Sequence, residues 1–147
     1  MLGTLAKWLR ILGYDTYFDP ALGDHQLVRL ARADSRILLT RDRELARRRG
    51  LAVLLIRGDR LDDQIREVLE ELDLEPNRSP ENSRCPVCNE ALLAIDHDTA
   101  RSLVPPYVAQ TQQSFRQCPA CGRVYWRGTH WQHMAEHLAR LWAEDAT

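Results

Sequence analysis

The chain has 147 residues, of which 44% are hydrophobic and 28% are charged, as is usual for a globular protein. This length corresponds to one ordinary domain, or to a small domain joined to a metal-stabilised module. No apolar run approaches the roughly 20 residues that a membrane-spanning helix needs, so we expect no membrane association. Because Lys7 and Arg10 interrupt the apolar pattern of the first 13 residues, we expect no secretory signal there and a cytoplasmic location.

The formal net charge of −1 conceals two segments of opposite sign. Residues 29–49 hold eight arginines against three acids, whereas residues 58–81 hold nine acids against three arginines. The basic segment could contact phosphate groups. The commoner meaning of such a run is a solvated helix face that an acidic neighbour balances, and composition alone favours this second interpretation.

The first half of the chain alternates helix-like and strand-like segments. Amphipathic spacing predicts four helices, over residues 2–12, 24–31, 43–49 and 61–72. Gly13 and Gly50 are placed to end the first and the third of these helices. Apolar and β-branched runs predict three strands, over residues 14–18, 37–40 and 52–56. Strands that alternate with helices form parallel βαβ units, so we expect an α/β domain over residues 1–75, with helices flanking a parallel sheet.

The second half contains a linker and a small module. Residues 76–83 are rich in proline, asparagine and serine, which is typical of a linker between domains. Residues 84–147 follow as a separate module that ends in an amphipathic helix, whose apolar side runs from Trp131 to Trp142. A stripe with this ordinary spacing is more often part of a core than a binding surface.

Four cysteines in two pairs predict a metal site in this module. Cys85 and Cys88 form one Cys-x-x-Cys pair, and Cys118 and Cys121 form the other after 29 intervening residues. Each pair makes a tight knuckle that aims two thiolates at one point, and two knuckles give the four-thiolate set that zinc prefers. Gly122 supplies the permissive backbone that the second knuckle needs. Four protein ligands leave no open position, so we expect one structural zinc ion in a zinc ribbon.

Histidines lie in the same module. His133 and His137 are four residues apart on the predicted last helix, which permits joint ligation of a metal. Solvated or core-edge histidines are the commoner case, and we favour that interpretation for them and for His97. His130 precedes the last helix and could contact a phosphate or a base of a nucleic acid.

Four acids follow the predicted strands of the first domain. Asp19 and Asp24 come after the first strand, Asp42 after the second and Asp59 after the third. Because the carboxyl ends of parallel strands meet at one edge of a sheet, we expect these carboxylates to lie close together. Such a cluster is costly unless a cation fills it. Carboxylate oxygens suit Mg²⁺ or Mn²⁺, which can hold a phosphate and lower the pKa of an attacking water.

Each of these acids also has a purely structural interpretation. Asp24 and Asp42 stand where helix N-caps stand, and Asp19 and Asp59 stand in turns. The convergence at one sheet edge is what favours metal binding, and it does so most for Asp24 and Asp42.

Several stretches of the chain resemble one known family. Residues 1–16, Met-Leu-Gly-Thr-Leu-Ala-Lys-Trp-Leu-Arg-Ile-Leu-Gly-Tyr-Asp-Thr, and residues 37–45, Ile-Leu-Leu-Thr-Arg-Asp-Arg-Glu-Leu, resemble the PIN-like ribonuclease family named for the Mut-seven C-terminal RNase domain. The cysteine segments at residues 84–89 and 118–130 are similar to the second half of that family. The resemblance therefore covers nearly the whole chain.

The resemblance implies a PIN-like α/β domain with an acidic, divalent-metal nuclease site, fused to a zinc ribbon. In PIN-like domains a Thr-x-Asp after a central strand supplies a metal-binding acid, and here that motif is Thr40-Arg41-Asp42. Another acid opens the helix before that strand, and Asp24 stands at the matching position. The implied activity is metal-dependent cleavage of RNA.

The resemblance also implies a segment before residue 1. Members of the family usually have a strand of the type Phe-Leu-Val-Asp just before the Met-Leu-Gly, and its Asp is a leading catalytic acid. We therefore expect the natural protein to begin upstream of Met1, with a first strand missing from the domain at residues 1–75. A chain that starts at Met1 is expected to be weakly active.

The leading hypothesis is a ribonuclease in which Asp24 and Asp42 hold Mg²⁺ or Mn²⁺, while Asp19 or Asp59 assists. The residues expected to contact RNA are Thr40, Arg41, Arg43, Arg47, Arg48 and His130, with Arg49 completing the arginine run. A second hypothesis is an RNA or ribonucleoprotein binding module without catalysis, in which the zinc ribbon makes the contact. A third hypothesis is an adaptor that binds only proteins, but the sequence does not indicate which proteins these would be.

Overall fold

The computed structural model describes residues 2–74 and 83–126. The chain divides into two compact units, Met1–Leu5 with Tyr17–Glu75, and Ala6–Thr16 with Pro76–Thr147. One unit contains a parallel pair of strands and the other an antiparallel sheet, so the fold is mixed α/β, as the sequence predicts. The predicted last helix, with His130, His133 and His137, lies outside the described residues.

The first helix forms close to its predicted bounds, as α1 (Gly3–Ile11). Leu5 and Leu9, on its apolar side, are buried. The helix ends at Ile11, and Gly13 turns the chain directly after it, as predicted: the φ of Gly13 is 99° and its N–H donates to the carbonyl of Arg10 at 2.9 Å. Glycine adopts this left-handed conformation without the steric cost that other residues incur.

The first unit is built on two short parallel strands. Strands β1 (Leu38–Thr40) and β2 (Val53–Leu55) pair so that Thr40 lies opposite Leu55. Helix α2 (Asp24–Ala33) precedes β1, and α3 (Arg43–Ala46) connects β1 to β2. Helix α4 (Leu61–Glu71) follows β2. This order confirms the predicted βαβ arrangement around the second and third predicted strands.

Aliphatic side chains from these elements form the core of the first unit. Val28 and Ala31 of α2 pack with Leu38 of β1 and Leu45 of α3. Helix α4 buries the side chains that its amphipathic pattern predicts, namely Ile65, Val68 and Leu69. The helical period in the sequence therefore identified the buried faces of both long helices.

The prediction of a strand at residues 14–18 is wrong. These residues form no strand, because their backbone groups bind partners other than a neighbouring strand. The N–H of Tyr14 donates to the carbonyl of Leu9 at 2.9 Å, and the N–H of Thr16 donates to Oδ1 of Asn89 at 2.9 Å. Among the described residues the parallel sheet therefore has two strands rather than three.

The arginine-rich helix is shorter than predicted. Helix α3 ends at Ala46 with Arg47 as its C-cap, whereas the sequence predicts a helix over residues 43–49. Gly50, with a φ of 73°, turns the chain before β2. Arg48 and Arg49 thus lie beyond the helix, in an exposed turn that leads to the second strand.

The second unit contains a three-stranded antiparallel sheet. Its strands are β3 (Leu93–Ile95), β4 (Phe115–Gln117) and β5 (Val124–Trp126), with β4 in the middle. The second cysteine pair lies in the turn between β4 and β5. Small antiparallel strands joined through a cysteine knuckle are compatible with the predicted zinc ribbon.

Two short helices, α5 (His97–Arg101) and α6 (Pro106–Thr111), connect β3 to β4. Together with Phe115 of β4 they form a small core, whose other buried members are Ala100, Val104, Val108 and Ala109. His97 is a core-edge residue, as we favour from the sequence, because its ring contacts Phe115 edge-on with centroids 5.8 Å apart.

Among residues 2–74 and 83–126, no helix has the length and apolar character needed to cross a membrane.

Candidate metal centre and acidic edge

The four cysteines lie together in the second unit. Their sulfur atoms all lie within 4.8 Å of one another, and none forms a disulfide. Sγ of Cys85 is 3.8 Å from Sγ of Cys121. Four sulfurs placed tetrahedrally around zinc at about 2.3 Å would be separated by about 3.8 Å. The cluster therefore has the donor chemistry and the size to bind a zinc ion.

The two cysteine knuckles have the same backbone hydrogen bonds. In the first, the N–H of Cys85 donates to the carbonyl of Glu90 at 2.8 Å, and the N–H of Asn89 donates to the carbonyl of Cys85 at 2.8 Å. In the second, the N–H of Cys118 donates to the carbonyl of Arg123 at 2.9 Å. The N–H of Gly122 donates to the carbonyl of Cys118, also at 2.9 Å. Each pair of thiols thus lies in its own turn, and the two turns are closed by the same pattern of backbone hydrogen bonds.

The backbone of the second knuckle favours a thiolate at Cys121. A hydrogen bond from the N–H of Arg123, with a smaller contribution from the Arg123 side chain, lowers the pKa of Cys121 to about 6. The side-chain hydrogen bond with Cys121 and burial raise the pKa of Cys88 to about 12. Burial also raises the pKa of Cys118. A bound cation would stabilise the thiolate form of each cysteine that it binds.

Tyr125 of β5 belongs to this centre, although the cysteine spacing gives no hint of it. Its hydroxyl lies 3.2 Å from Sγ of Cys85, which is fully buried. Burial raises the pKa of Tyr125, so the phenol keeps its proton at neutral pH and would donate a hydrogen bond to a zinc-bound thiolate of Cys85. Ligands of metals in proteins are commonly oriented by such outer hydrogen bonds.

In the first unit, Asp42 and Asp59 follow the two paired strands. Asp42 is the N-cap of α3, as the structural interpretation predicts. Its Oδ1 accepts the N–H groups of Glu44 at 2.9 Å and Leu45 at 3.3 Å. Both acids follow strands whose carboxyl ends lie side by side, since Thr40 pairs with Leu55.

Asp59 is held by an arginine. Nη2 of Arg41 donates to Oδ1 of Asp59 at 2.8 Å, and Nη1 of Arg41 donates to the carbonyl of Gly58. The same carbonyl accepts Nε2 of the buried Gln64 at 3.0 Å. Glu67 accepts the N–H of Gly58 at 2.7 Å. Hydrogen bonds with three side chains therefore hold the loop after β2. The position of Arg41 in the sequence did not reveal its role in this loop.

The other two acids lie around the start of α2. Asp19 accepts the N–H of Ala21 through Oδ1 at 2.9 Å and so stabilises a turn, as predicted. Asp24 is not an N-cap, because α2 begins at Asp24 and Gly23 is its N-cap. Oε1 of Gln26 accepts the N–H of Gly23 at 2.9 Å, which supplies the capping interaction instead. The exposed carboxylate of Asp24 remains suited to the positive end of the helix.

The predicted RNA-binding residues fall into two groups. Thr40 is buried, and its hydroxyl accepts the N–H of Asp42 at 3.0 Å. Arg43, Arg47 and Arg48 are exposed, as is Arg49, whose carbonyl accepts Nη2 of Arg32 at 3.1 Å. His130 lies outside the part of the chain that the structure describes.

No three of these acids form a compact group among the described residues. Within residues 2–74 and 83–126, the four cysteines are the one group of three or more metal-binding side chains whose ligand atoms lie within 4.8 Å of one another. Carboxylates such as those of Asp24 and Asp42 are nevertheless donors of the kind that Mg²⁺ and Mn²⁺ prefer. Asp42 presents a second oxygen besides the Oδ1 that caps α3.

Comparison with known families identifies a match over nearly the whole chain. The family described as the Mut7-C RNAse domain matches residues 1–138, which is nearly the whole chain. This match indicates a domain of ribonuclease type and confirms the resemblance drawn from the sequence. No curated protein and no solved structure gives a significant match.

Proposed function

Because the chain belongs to the Mut7-C RNase domain family, we propose that it is a metal-dependent ribonuclease of PIN-like type that cleaves RNA phosphodiester bonds. The family match is the observation that carries this proposal. The position of Asp42 and Asp59, after the carboxyl ends of two adjacent parallel strands, supports it. This edge of a parallel sheet is where ligands bind in open α/β folds.

In this proposal Asp24 and Asp42 hold Mg²⁺ or Mn²⁺, and Asp19 or Asp59 assists. A divalent cation at such a site lowers the pKa of a bound water and neutralises charge on a phosphate. The capping bonds of Asp42 fix one carboxylate oxygen, so the side chain is oriented before any cation arrives. Arg41 holds the loop that carries Asp59 through the carbonyl of Gly58.

Exposed arginines are proposed to hold the RNA backbone. Arg43, Arg47 and Arg48 are exposed in and after α3, which begins directly after Asp42. Guanidinium groups bind phosphates in a forked geometry that a single ammonium does not reproduce. Arg41 can reach RNA only by leaving Asp59, so we assign it mainly to the loop. The contact of His130 with RNA stays a prediction.

The zinc ribbon is proposed to be structural. Cys85, Cys88, Cys118 and Cys121 would supply all four ligands, and a filled tetrahedron has no position for a reacting water. The proposed organisation is a PIN-like domain within residues 1–75, a linker at 76–83 and the ribbon module at 84–147, in a cytoplasmic protein. Residues 6–16 belong to the same compact unit as the ribbon module.

The test is RNA cleavage with and without divalent cations. The protein is incubated with mixed RNAs in Mn²⁺, in Mg²⁺ or in EDTA, and Asp42→Asn is compared with Asp73→Asn. Asparagine keeps the oxygen that caps α3, so Asp42→Asn should fold. It removes a charge that a hard cation needs, and we expect cleavage to fall by about 100-fold, the scale for losing one preorganised electrostatic group.

Asp73→Asn is the matched control. It makes the same charge change at a position with a φ of 52°, which asparagine tolerates well. Equal metal-dependent cleavage by both variants would refute the role of Asp42. Cleavage that persists unchanged in EDTA would refute a metal-dependent enzyme.

One observation favours a second candidate, an RNA or ribonucleoprotein binding module without catalysis. Asp59 is ion-paired with Arg41, and no group of three acids within the described residues lies within 4.8 Å. Salt-sensitive RNA binding by a protein that cleaves no RNA in Mn²⁺ or Mg²⁺ would support this candidate over the enzyme.

A further inference from the structure

Arg10 is a buried arginine that binds both a nearby residue and residues far from it in the sequence. Its side chain, on α1, is 8% exposed. Nε donates to the carbonyl of Thr16 at 2.8 Å, while Nη1 donates to the carbonyls of Pro86 at 2.8 Å and Val87 at 3.4 Å. The carbonyl of Arg10 accepts the N–H of Arg84 at 2.9 Å. A buried guanidinium is costly unless it is hydrogen-bonded, and the carbonyls of Thr16, Pro86 and Val87 supply its partners.

The carbonyls that Arg10 binds belong to the first cysteine knuckle. Pro86 and Val87 are the two residues between Cys85 and Cys88. Their peptide units determine the distance and the direction between the two sulfur atoms of that pair. An arginine that fixes these units from outside therefore acts on the geometry of two zinc ligands without touching the metal.

Further hydrogen bonds attach the neighbouring residues to the same knuckle. Asn89 accepts the N–H of Thr16 through Oδ1 at 2.9 Å and donates through Nδ2 to Oδ1 of Asp15 at 2.6 Å. The hydroxyl of Ser83 donates to the carbonyl of Ile11 at 2.7 Å, and Ser83 is buried. Residues 10–16 thus lie along the first knuckle and belong to the same compact unit.

We propose that Arg10 is a positioning residue for the zinc centre, and that residues 10–16 are an integral part of the zinc-binding module. The inference rests on the four-thiolate zinc site proposed above. The guanidinium fork spans Thr16 and the knuckle at once, which a lysine or a glutamine cannot do. Zinc binding orders the knuckle, and by linkage it stabilises the segment that the knuckle holds.

The first experiment measures the zinc affinity of the full chain by competition with a chromophoric chelator. Arg10→Gln is compared with Lys7→Gln, which removes a cation from an exposed position of the same helix. We expect Arg10→Gln to bind zinc about 10- to 100-fold more weakly, as is usual when an outer partner of a ligand is lost. Arg10→Lys should recover little of the affinity, because its ammonium lacks the fork.

A cobalt spectrum separates positioning from a general loss of stability. At saturating Co²⁺, a variant that is merely less stable shows the wild-type thiolate charge-transfer and ligand-field bands. A variant with a displaced knuckle shows shifted bands. We expect shifted bands for Arg10→Gln and wild-type bands for Lys7→Gln.

The second experiment needs no variant. Hydrogen exchange of the wild-type protein is compared before and after zinc removal by EDTA. We expect residues 10–16 to lose protection together with residues 83–92, while α2 in the other unit keeps its protection. If Arg10→Gln fails to fold, this measurement still tests whether residues 10–16 belong to the zinc-binding module.

The outcomes distinguish this inference from the zinc site on which it rests. A wild-type protein that binds no zinc would overturn the zinc site itself. Wild-type zinc binding with equal affinities and unshifted cobalt bands for Arg10→Gln and Lys7→Gln would overturn the role of Arg10 alone. Unchanged protection of residues 10–16 after zinc removal would overturn their membership of the module.

Discussion

Asn89 and Gly122 occupy the same position in the two cysteine knuckles. Each is the fourth residue after the first cysteine of its pair, and their φ values are 66° and 79°. Each donates its N–H to the carbonyl of that cysteine. Asparagine and glycine are the residues that adopt this left-handed conformation most readily, so the two knuckles meet one backbone requirement with two different side chains.

This equivalence predicts how Gly122 responds to substitution. A Cβ at this position would meet only Nε2 of Gln117, at 4.0 Å, so the cost of a side chain is conformational rather than steric. We expect Gly122→Ala to lower the stability of the zinc-loaded protein by about 1–2 kcal/mol. Gly122→Asn should cost clearly less, because asparagine tolerates the conformation. Thermal unfolding of the two variants measures the difference, and equal losses would contradict the argument.

Tyr125 gives a second prediction. Tyr125→Phe removes the hydroxyl that lies 3.2 Å from Sγ of Cys85 and leaves the ring in place. We expect the zinc affinity to fall by about 10-fold, since a buried thiolate loses its hydrogen-bond donor. Tyr107→Phe is the matched control, because Tyr107 is 68% exposed. If the two variants bound zinc equally well, the hydroxyl of Tyr125 would have no role at the metal.

The parts of the molecule that follow from local sequence patterns were predictable. The apolar runs of β1 and β2, the amphipathic faces of α2 and α4 and the two Cys-x-x-Cys pairs all appear at their predicted places. Each of these signals is contained within a few neighbouring residues. The turn formed by Asp19 and the N-cap formed by Asp42 were predictable for the same reason.

The parts that depend on distant partners were not predictable. Residues 14–18 alternate like a strand, but the backbone of Thr16 is bound by Arg10 and by Asn89, which lies 73 residues away. The pairing of Arg41 with Asp59 depends on the register of β1 and β2. No local period encodes such contacts. Asn89 did carry a signal, since an asparagine directly after a cysteine pair can supply a left-handed turn as Gly122 does.

The pKa of Cys121 predicts how zinc binding depends on pH. Its lowered value of about 6 means that the metal-free folded protein already holds one thiolate at neutral pH. Zinc should therefore displace about one proton more at pH 5, where Cys121 is protonated, than at pH 7. Calorimetry in buffers with different ionisation enthalpies counts these protons.

The lowered pKa of Cys121 also predicts how the stability of the metal-free protein depends on pH. A thiol whose pKa is lowered by folding stabilises the folded state fully above its ordinary pKa of about 8.5, and this contribution is lost as the pH falls through about 6. The metal-free protein should thus gain stability between pH 6 and pH 8.5, and Cys121→Ser should lose this gain. Release of equal numbers of protons at pH 5 and pH 7 on zinc binding would show that Cys121 is not ionised at neutral pH.

The exposed arginines after α3 give the last prediction. Replacing Arg47, Arg48 and Arg49 together with glutamine should weaken RNA binding and reduce its dependence on salt. Each phosphate contact to a single strand contributes about 0.7 to the slope of log K against log salt. Three lost contacts should therefore lower the slope by about 2. The exposed side chains of these residues lie outside the core of the first unit, so folding should be unaffected.

The control must remove the same charge from elsewhere on the chain. Lys7, Arg29 and Arg101 are exposed, and their joint replacement by glutamine changes the net charge equally without touching the turn after α3. If the arginines bind RNA at this turn, only the first triple variant loses slope. An equal decrease in the salt slope of both triple variants would mean that RNA binding depends only on the net charge of the protein. An unchanged slope in the first would make residues 47–49 a solvated surface balanced by the acidic segment at residues 58–81, the interpretation that composition favours.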